Sequence, residues 1–286
     1  MRWVTYGRLY RLSMGRLETG DGMKLKGKVA IVTGAGRSIG QAIATLFARE
    51  GAAVVIAEID GDRAIEVARE IEAAGGTALA LPTDISRVDS VEAMAEETMD
   101  RFGTIDILVN NAAISGKAVG LNAFLTLDVD HDWKRIIDTN LTGTFICSKV
   151  VAGQMAEIGK GGVILNVSSV SGSCPTLGCT PYGVSKAGVN MLTRTLAGEL
   201  ANHSIRVNGI APGPIVSESS IVPGHLEPDP AKTNLLTGRW GNLDDISRAA
   251  LFFVSDDASF ITGQILGVDG GVSTSFRWLA YRKSDQ

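Results

Sequence analysis

The chain has 286 residues, 45% of them hydrophobic, and a formal net charge of −4. No sustained basic cluster lies in its body, which argues against a nucleic-acid partner, and no apolar run reaches membrane-spanning length. Three cysteines, Cys147, Cys174 and Cys179, do not suggest a disulfide framework, and His131, His203 and His225 lack metal-ligand spacing, so no metal is expected.

Residues 1–22 carry Arg2, Arg8, Arg11 and Arg16 with Trp3, Tyr6 and Tyr10, but no apolar core of a secretory signal. They are expected to lie outside the fold, which starts at about Met23. Lys28-Val29-Ala30-Ile31-Val32-Thr33 then reads as a buried parallel strand. It breaks into Gly34-Ala35-Gly36-Arg37-Ser38-Ile39-Gly40, followed by helical spacing at Ile43, Leu46 and Phe47. Strand, glycine turn and helix together aim backbone N–H groups and a helix N-terminus at a phosphate. The next strand, Ala53 to Ala57, ends in Glu58, eighteen residues after Gly40, where a carboxylate can accept the hydroxyl protons of a ribose.

Further strands are expected near 77–81, 105–109, 162–167, 205–210 and 264–268, with helices between them. That alternation means a parallel sheet covered on both faces. Asn140, in Asp138-Thr139-Asn140-Leu141-Thr142-Gly143, sits among residues that are poor for a helix interior. Either the helix ends at Gly143, or a local rule is broken there for function. Tyr182 and Lys186 stand four residues apart on one helix face, with Thr180 as N-cap and Pro181 as first helical residue. A lysine ammonium one turn away favours the phenolate, so the pair can exchange protons with an alcohol or ketone. Alone the pair is a weak signal, since chance places many such pairs on amphipathic helices.

Taken together, these motifs resemble the short-chain dehydrogenase/reductase family over residues 25–272. The family's Thr-Gly-x-x-x-Gly-x-Gly matches Thr33, Gly34 and Gly40, with Ser38 in place of the middle glycine. Asn110-Asn111-Ala112-Ala113 matches Asn-Asn-Ala-Gly, with Ala113 for the glycine. Pro212-Gly213-Pro214-Ile215-Val216-Ser217 matches Pro-Gly-x-Ile/Val-x-Thr, and Val268-Asp269-Gly270-Gly271 matches the end of the last strand. The resemblance implies a Rossmann-type three-layer α/β sandwich, with a seven-stranded parallel sheet in one NAD-binding domain over 23–273. Outside it, the tail at 274–286 carries Phe276, Trp278, Leu279 and Tyr281 and is expected to contact another subunit. It implies a catalytic set of Asn140, Ser169, Tyr182 and Lys186, with Ser168 turned to the opposite strand face. Implied cofactor contacts are Gly34, Arg37, Ser38, Ile39, Gly40, Glu58, Asp84, Ile85, Asn110, Tyr182, Lys186, Pro212, Ile215 and Ser217. It also implies a cytoplasmic homo-oligomer, tetramer or dimer, with a small-molecule alcohol or ketone as substrate.

Cofactor choice carries opposed signals. Arg37 suits a 2′-phosphate, but Glu58 repels one, and Ile59 and Asp60 follow it rather than a second arginine. NAD is therefore expected over NADP, with Arg37 assigned to the pyrophosphate or to Glu58 itself. The lid is expected at 216–241 and a second wall at 115–130. The lid's hydroxyl, carboxylate and imidazole groups suit a polyhydroxylated substrate such as a sugar or cyclitol. Alternatives are a 3-oxoacyl (carrier-protein) or other carbonyl reductase, and, in a different class, a non-catalytic NAD-binding sensor.

Overall fold

Val29–Thr33 forms strand β1, and all five of its residues are buried. That burial follows from its position: it pairs in parallel with β2 (Ala53–Glu58) on one side and β4 (Ile107–Asn110) on the other. The computed structural model describes residues 22–115, 123–217 and 235–274. Within these, β3 (Thr77–Pro82), β5 (Gly162–Val167), β6 (Ile205–Pro212) and β7 (Ile265–Val268) complete a seven-stranded sheet in the order β3-β2-β1-β4-β5-β6-β7. Every pairing in it is parallel.

Alternation along the strands feeds two cores. Ala30, Val32, Val54, Ile56, Ile107, Val109 and Leu165 face one side, where α1 (Ser38–Arg49), α2 (Gly61–Ala73) and α8 (Leu243–Val254) pack. Ile31, Val55, Leu108, Ile164 and Val207 face the other, against α3 (Val88–Phe102), α6 (Gly143–Ile158) and α7 (Thr180–Glu199). Period-two burial on both faces is the signature of a doubly covered parallel sheet. The chain reverses direction across the sheet between β2-β1 and β4, which opens a crevice at the carboxyl ends of β1 and β4.

The seven expected strands are all present, with ends moved by two residues at most. β6 runs on to Pro212 because β7 pairs with its last four residues, Gly209 to Pro212. Two helix expectations change. Thr180 is the first residue of α7 rather than its cap: Cys179 holds the cap position without a side-chain hydrogen bond, and its carbonyl accepts the Gly183 N–H at 2.9 Å. Nor does a helix end at Gly143. After the short α4 (Ala123–Thr126), Val129–Lys134 and Asp138–Thr142 wind with the wider π pitch on either side of α5 (Arg135–Ile137), and the chain passes straight into α6. Such wide turns recur at functional sites. The expected boundaries at 1–22 and 274–286 fall almost wholly outside the described residues.

Gly40 sets how closely α1 approaches the sheet. A Cβ there would collide with the Gly34 carbonyl and lie 2.5 Å from Asn111 Nδ2 and 2.9 Å from Ala35 Cα. Backbone cannot yield cheaply, so Gly40→Ala should cost about 3 kcal/mol, the upper range for overpacking. Urea unfolding measures this, and a loss below ~0.5 kcal/mol would mean that the turn is looser than its contacts indicate.

Candidate active site

The turn after β1 is pinned from two directions. Gly34 donates its N–H to Ala57 O at 2.7 Å, and Asn111 Nδ2 donates to Thr33 O and Gly34 O at 2.9 and 3.0 Å. Thr33 Oγ1 in turn accepts from the backbone N–H groups of Asn111 and Ala112. The two strand ends that flank the crevice are thereby fixed to one another. Arg37 is exposed just before α1, and Ser38, where the family carries glycine, has a left-handed φ of 51°. That conformation is costly for a residue with a Cβ, which explains the family's preference at this position. The Ser38 hydroxyl is also buried without a hydrogen-bond partner.

Glu58, at the end of β2, is clamped by backbone. Its Oε2 accepts from Gly36 N at 3.0 Å and its Oε1 from Ile59 N and Asp60 N at 3.0 and 3.3 Å. Of the two roles expected for Arg37, pyrophosphate or Glu58, the second is taken up by these three N–H groups. Asp84 lies at the end of the neighbouring strand and accepts from the Ser86 N–H and hydroxyl through Oδ1, while Ile85 is buried and packs on Gly143. Asn110 points elsewhere: its Nδ2 donates to Ser148 Oγ and Asn166 Oδ1, inside the sheet-helix layer. Its neighbour Asn111 is the one that reaches the glycine turn, and the doubled asparagine was the only sequence signal for it.

Ser169, Tyr182 and Lys186 converge at the carboxyl end of β5. Ser169 follows that strand and its Oγ accepts from Ser171 N at 3.1 Å, which leaves its own proton for an oxygen beside Tyr182. Ser169 faces the Tyr182 phenol and favours its ionised form. Burial works the other way and wins, holding the phenol above its ordinary value near 10.0. The expected net lowering by Lys186 is therefore corrected: its charge does not offset the burial of the phenol. The reason is geometric: Lys186 Nζ donates to Val167 O at 2.7 Å and lies 5.8 Å from the tyrosine ring centroid. Burial also pushes the Lys186 ammonium down to about 8. Ser168, expected on the opposite face, donates to Lys186 O at 3.2 Å, so both serines meet α7: Ser168 at its backbone and Ser169 at the Tyr182 side chain.

Asn140 is fully buried in the second π turn. Its Oδ1 accepts from Ile114 N at 2.8 Å, and its Nδ2 donates to Ile114 O at 2.9 Å and Ser185 Oγ at 3.1 Å. Ser185 Oγ donates to Tyr182 O at 2.7 Å. The amide thus joins the segment after β4 to the helix that carries Tyr182, a link through Ser185 that the sequence did not signal. On the far wall, Pro212 ends β6, Ile215 bridges to Gly241 beyond it, and Ser217 is buried. Residues 218–234 of the expected lid, and 116–122 of the second wall, lie outside the described residues. Cys147 is buried and its thiol is pushed up to about 12, a packing residue, whereas Cys174 and Cys179 are half-buried on the loop before Tyr182. Among the described residues no group of His, Cys, Asp and Glu is placed to hold a metal, and no helix is long and apolar enough to cross a membrane.

A parallel sheet with a glycine turn at its crevice and a serine, tyrosine and lysine beside it defines an oxidoreductase acting on alcohols or carbonyls. The chain belongs to the short-chain dehydrogenase/reductase family. A family profile described as enoyl-(acyl carrier protein) reductase matches residues 34–273. An uncharacterized oxidoreductase of Mycobacterium tuberculosis is 46% identical over 85% of this chain and 96% of its own length. A 3-oxoacyl-[acyl-carrier-protein] reductase of Thermotoga maritima is 36% identical over 87% of this chain and 99% of its own. Among solved structures, a 7α-hydroxysteroid dehydrogenase complexed with NADH and 7-oxo glycochenodeoxycholic acid superposes with a TM-score of 0.79. It is 38% identical and covers 87% of this chain and 95% of its own.

Proposed function

We propose that this protein is an NAD-dependent dehydrogenase of secondary alcohols, using Ser169, Tyr182 and Lys186 as its catalytic groups. The observation that carries the reading is the convergence of these three side chains beside a backbone cradle capped by the Glu58 carboxylate. A nicotinamide dinucleotide fits that cradle, since the glycine turn leads into the N-terminus of α1 at the crevice and Glu58 offers an acceptor to ribose hydroxyls. When bound, it supplies the hydride acceptor for oxidation or the donor for reduction. Tyr182 takes the alcohol proton as phenolate, or gives it to the carbonyl as phenol. Ser169 donates its hydroxyl proton to the substrate oxygen. Lys186 keeps positive charge beside the phenolate and the nicotinamide ribose. Asn140, expected in the catalytic set, is read instead as positioning Tyr182 through Ser185, because its amide is already used on Ile114 and Ser185.

NAD is favoured over NADP on the charge of Glu58. Two negative groups ~4 Å apart repel by a few kcal/mol at an effective dielectric near 20, roughly a hundredfold in preference. Comparing kcat/KM for the two cofactors tests this, and a preference for NADP would overturn it. For the substrate, a polyhydroxylated alcohol such as a sugar or cyclitol suits the polar composition of residues 216–241, the expected lid. A 3-oxoacyl thioester is the second reading, favoured by the kinship with the Thermotoga maritima reductase. A nicotinamide-absorbance screen over both classes separates them. A sensor without chemistry predicts cofactor binding but no turnover on any member of the panel. The reading includes a homo-oligomer and a cytoplasmic location. Its catalytic domain spans 23–273.

A further inference from the structure

The sequence places no arginine directly after Glu58, but the fold brings one to the same spot from the next helix. Asp60 caps α2, and its Oδ1 accepts from Arg63 N at 3.4 Å while its Oδ2 lies 3.1 Å from Arg63 Nε. The Asp60 N–H also touches the Glu58 carboxylate at 3.3 Å. Gly36 closes the ring: a Cβ there would sit 2.8 Å from Glu58 Cγ and 2.9 Å from Arg63 Cβ. Glycine turn, Glu58, Asp60 and Arg63 therefore surround one point, the rim of the proposed adenosine-ribose pocket.

Building on the proposal that this crevice takes a nicotinamide dinucleotide, we propose that Asp60 is a second determinant of cofactor choice, acting by holding Arg63 in an ion pair at the pocket rim. The two side chains are about half exposed, 45% and 47%, so their pairing contributes little to stability. Its consequence is electrostatic. Asp60 adds a second carboxylate next to Glu58 and neutralises the cation that a 2′-phosphate needs. Arginine pairs with phosphate through two parallel N–H groups, so an arginine released at this rim is a ready receptor. Replacing Glu58 alone then removes one negative charge and leaves Arg63 occupied.

Asp60→Asn tests this cleanly, because asparagine caps a helix as well as aspartate but cannot hold the ion pair. Fluorescence titration with NADH and NADPH gives both dissociation constants without any need for substrate. Glu58→Ser/Asp60→Asn is expected to bind NADPH at least ~10-fold tighter than Glu58→Ser, with NADH affinity changed less than ~3-fold. Adding Arg63→Met to that pair should return NADPH affinity to the Glu58→Ser level. A double variant that binds NADPH no better than Glu58→Ser would overturn the proposal, as would a gain that survives Arg63→Met. If the unaltered protein binds neither NADH nor NADPH, the functional reading beneath it falls as well. A protein that binds NADH but shows no Asp60 effect overturns only the role of Asp60.

Discussion

Tyr182→Phe is expected to lower turnover by at least ~10²-fold while leaving cofactor affinity nearly unchanged. The phenylalanine ring keeps the packing and removes only the oxygen that exchanges a proton with substrate. The oxygen's environment adds a pH signature. Burial holds the phenol above its ordinary value, so the phenolate fraction grows with pH throughout the range about 7–9. Oxidation needs phenolate and should therefore speed up with pH over that range, whereas reduction uses the abundant phenol and should not. Steady-state kcat/KM in both directions, alongside cofactor fluorescence titration, measures each part. Near-normal turnover in the variant would remove Tyr182 from the chemistry, and a flat oxidation profile would mean that another group accepts the proton.

Lys186→Met should split stability from activity. Lys186 is buried, and its ammonium is pushed from 10.5 down to about 8, so the charged form is held at a cost at neutral pH. At ~1.4 kcal/mol per pH unit, that cost is about 3 kcal/mol at pH 7. Methionine removes it but leaves the Val167 carbonyl without its donor, a loss of about 1–2 kcal/mol, for a net gain of ~1–2 kcal/mol. The folded value lies below the unfolded one, so between about 8 and 10.5 the unfolded chain binds more protons and wild-type stability rises with pH. The variant's advantage is therefore largest at pH 7 and shrinks above about pH 8. Turnover should fall roughly 10²-fold, the scale for losing one preorganised charge at a reacting oxygen, and cofactor binding should weaken with it. Urea unfolding at two pH values and parallel kinetics decide the matter. A variant less stable at pH 7, with intact kinetics, would make Lys186 a purely structural residue.

Much of this site is legible because its parts are local. The β-branched run before Gly34, the helical spacing after Gly40 and the alternation of strands with helices each state their own conformation within a few residues. Motif order along the chain then identifies the family, since a parallel sheet leaves little freedom in how such units wind.

What tertiary structure decided are quantities that no short window contains. Tyr182 and Lys186 are four apart in sequence, yet the balance between charge and desolvation at the phenol depends on how deeply α7 is buried and on a carbonyl from β5. Asn110 and Asn111 are neighbours, but one meets α6 and β5 while the other meets the glycine turn, because the sheet's register sends them apart. The wide turn at Asn140 arises where a helix must satisfy Ile114 and Ser185 at once. Arg63 is far along the chain from Gly36 and adjacent to it in space. Periodicity and turn chemistry are written in sequence because they depend on neighbours along the backbone. Dielectric environment and close approach depend on remote segments packed together, and only the fold brings those into contact.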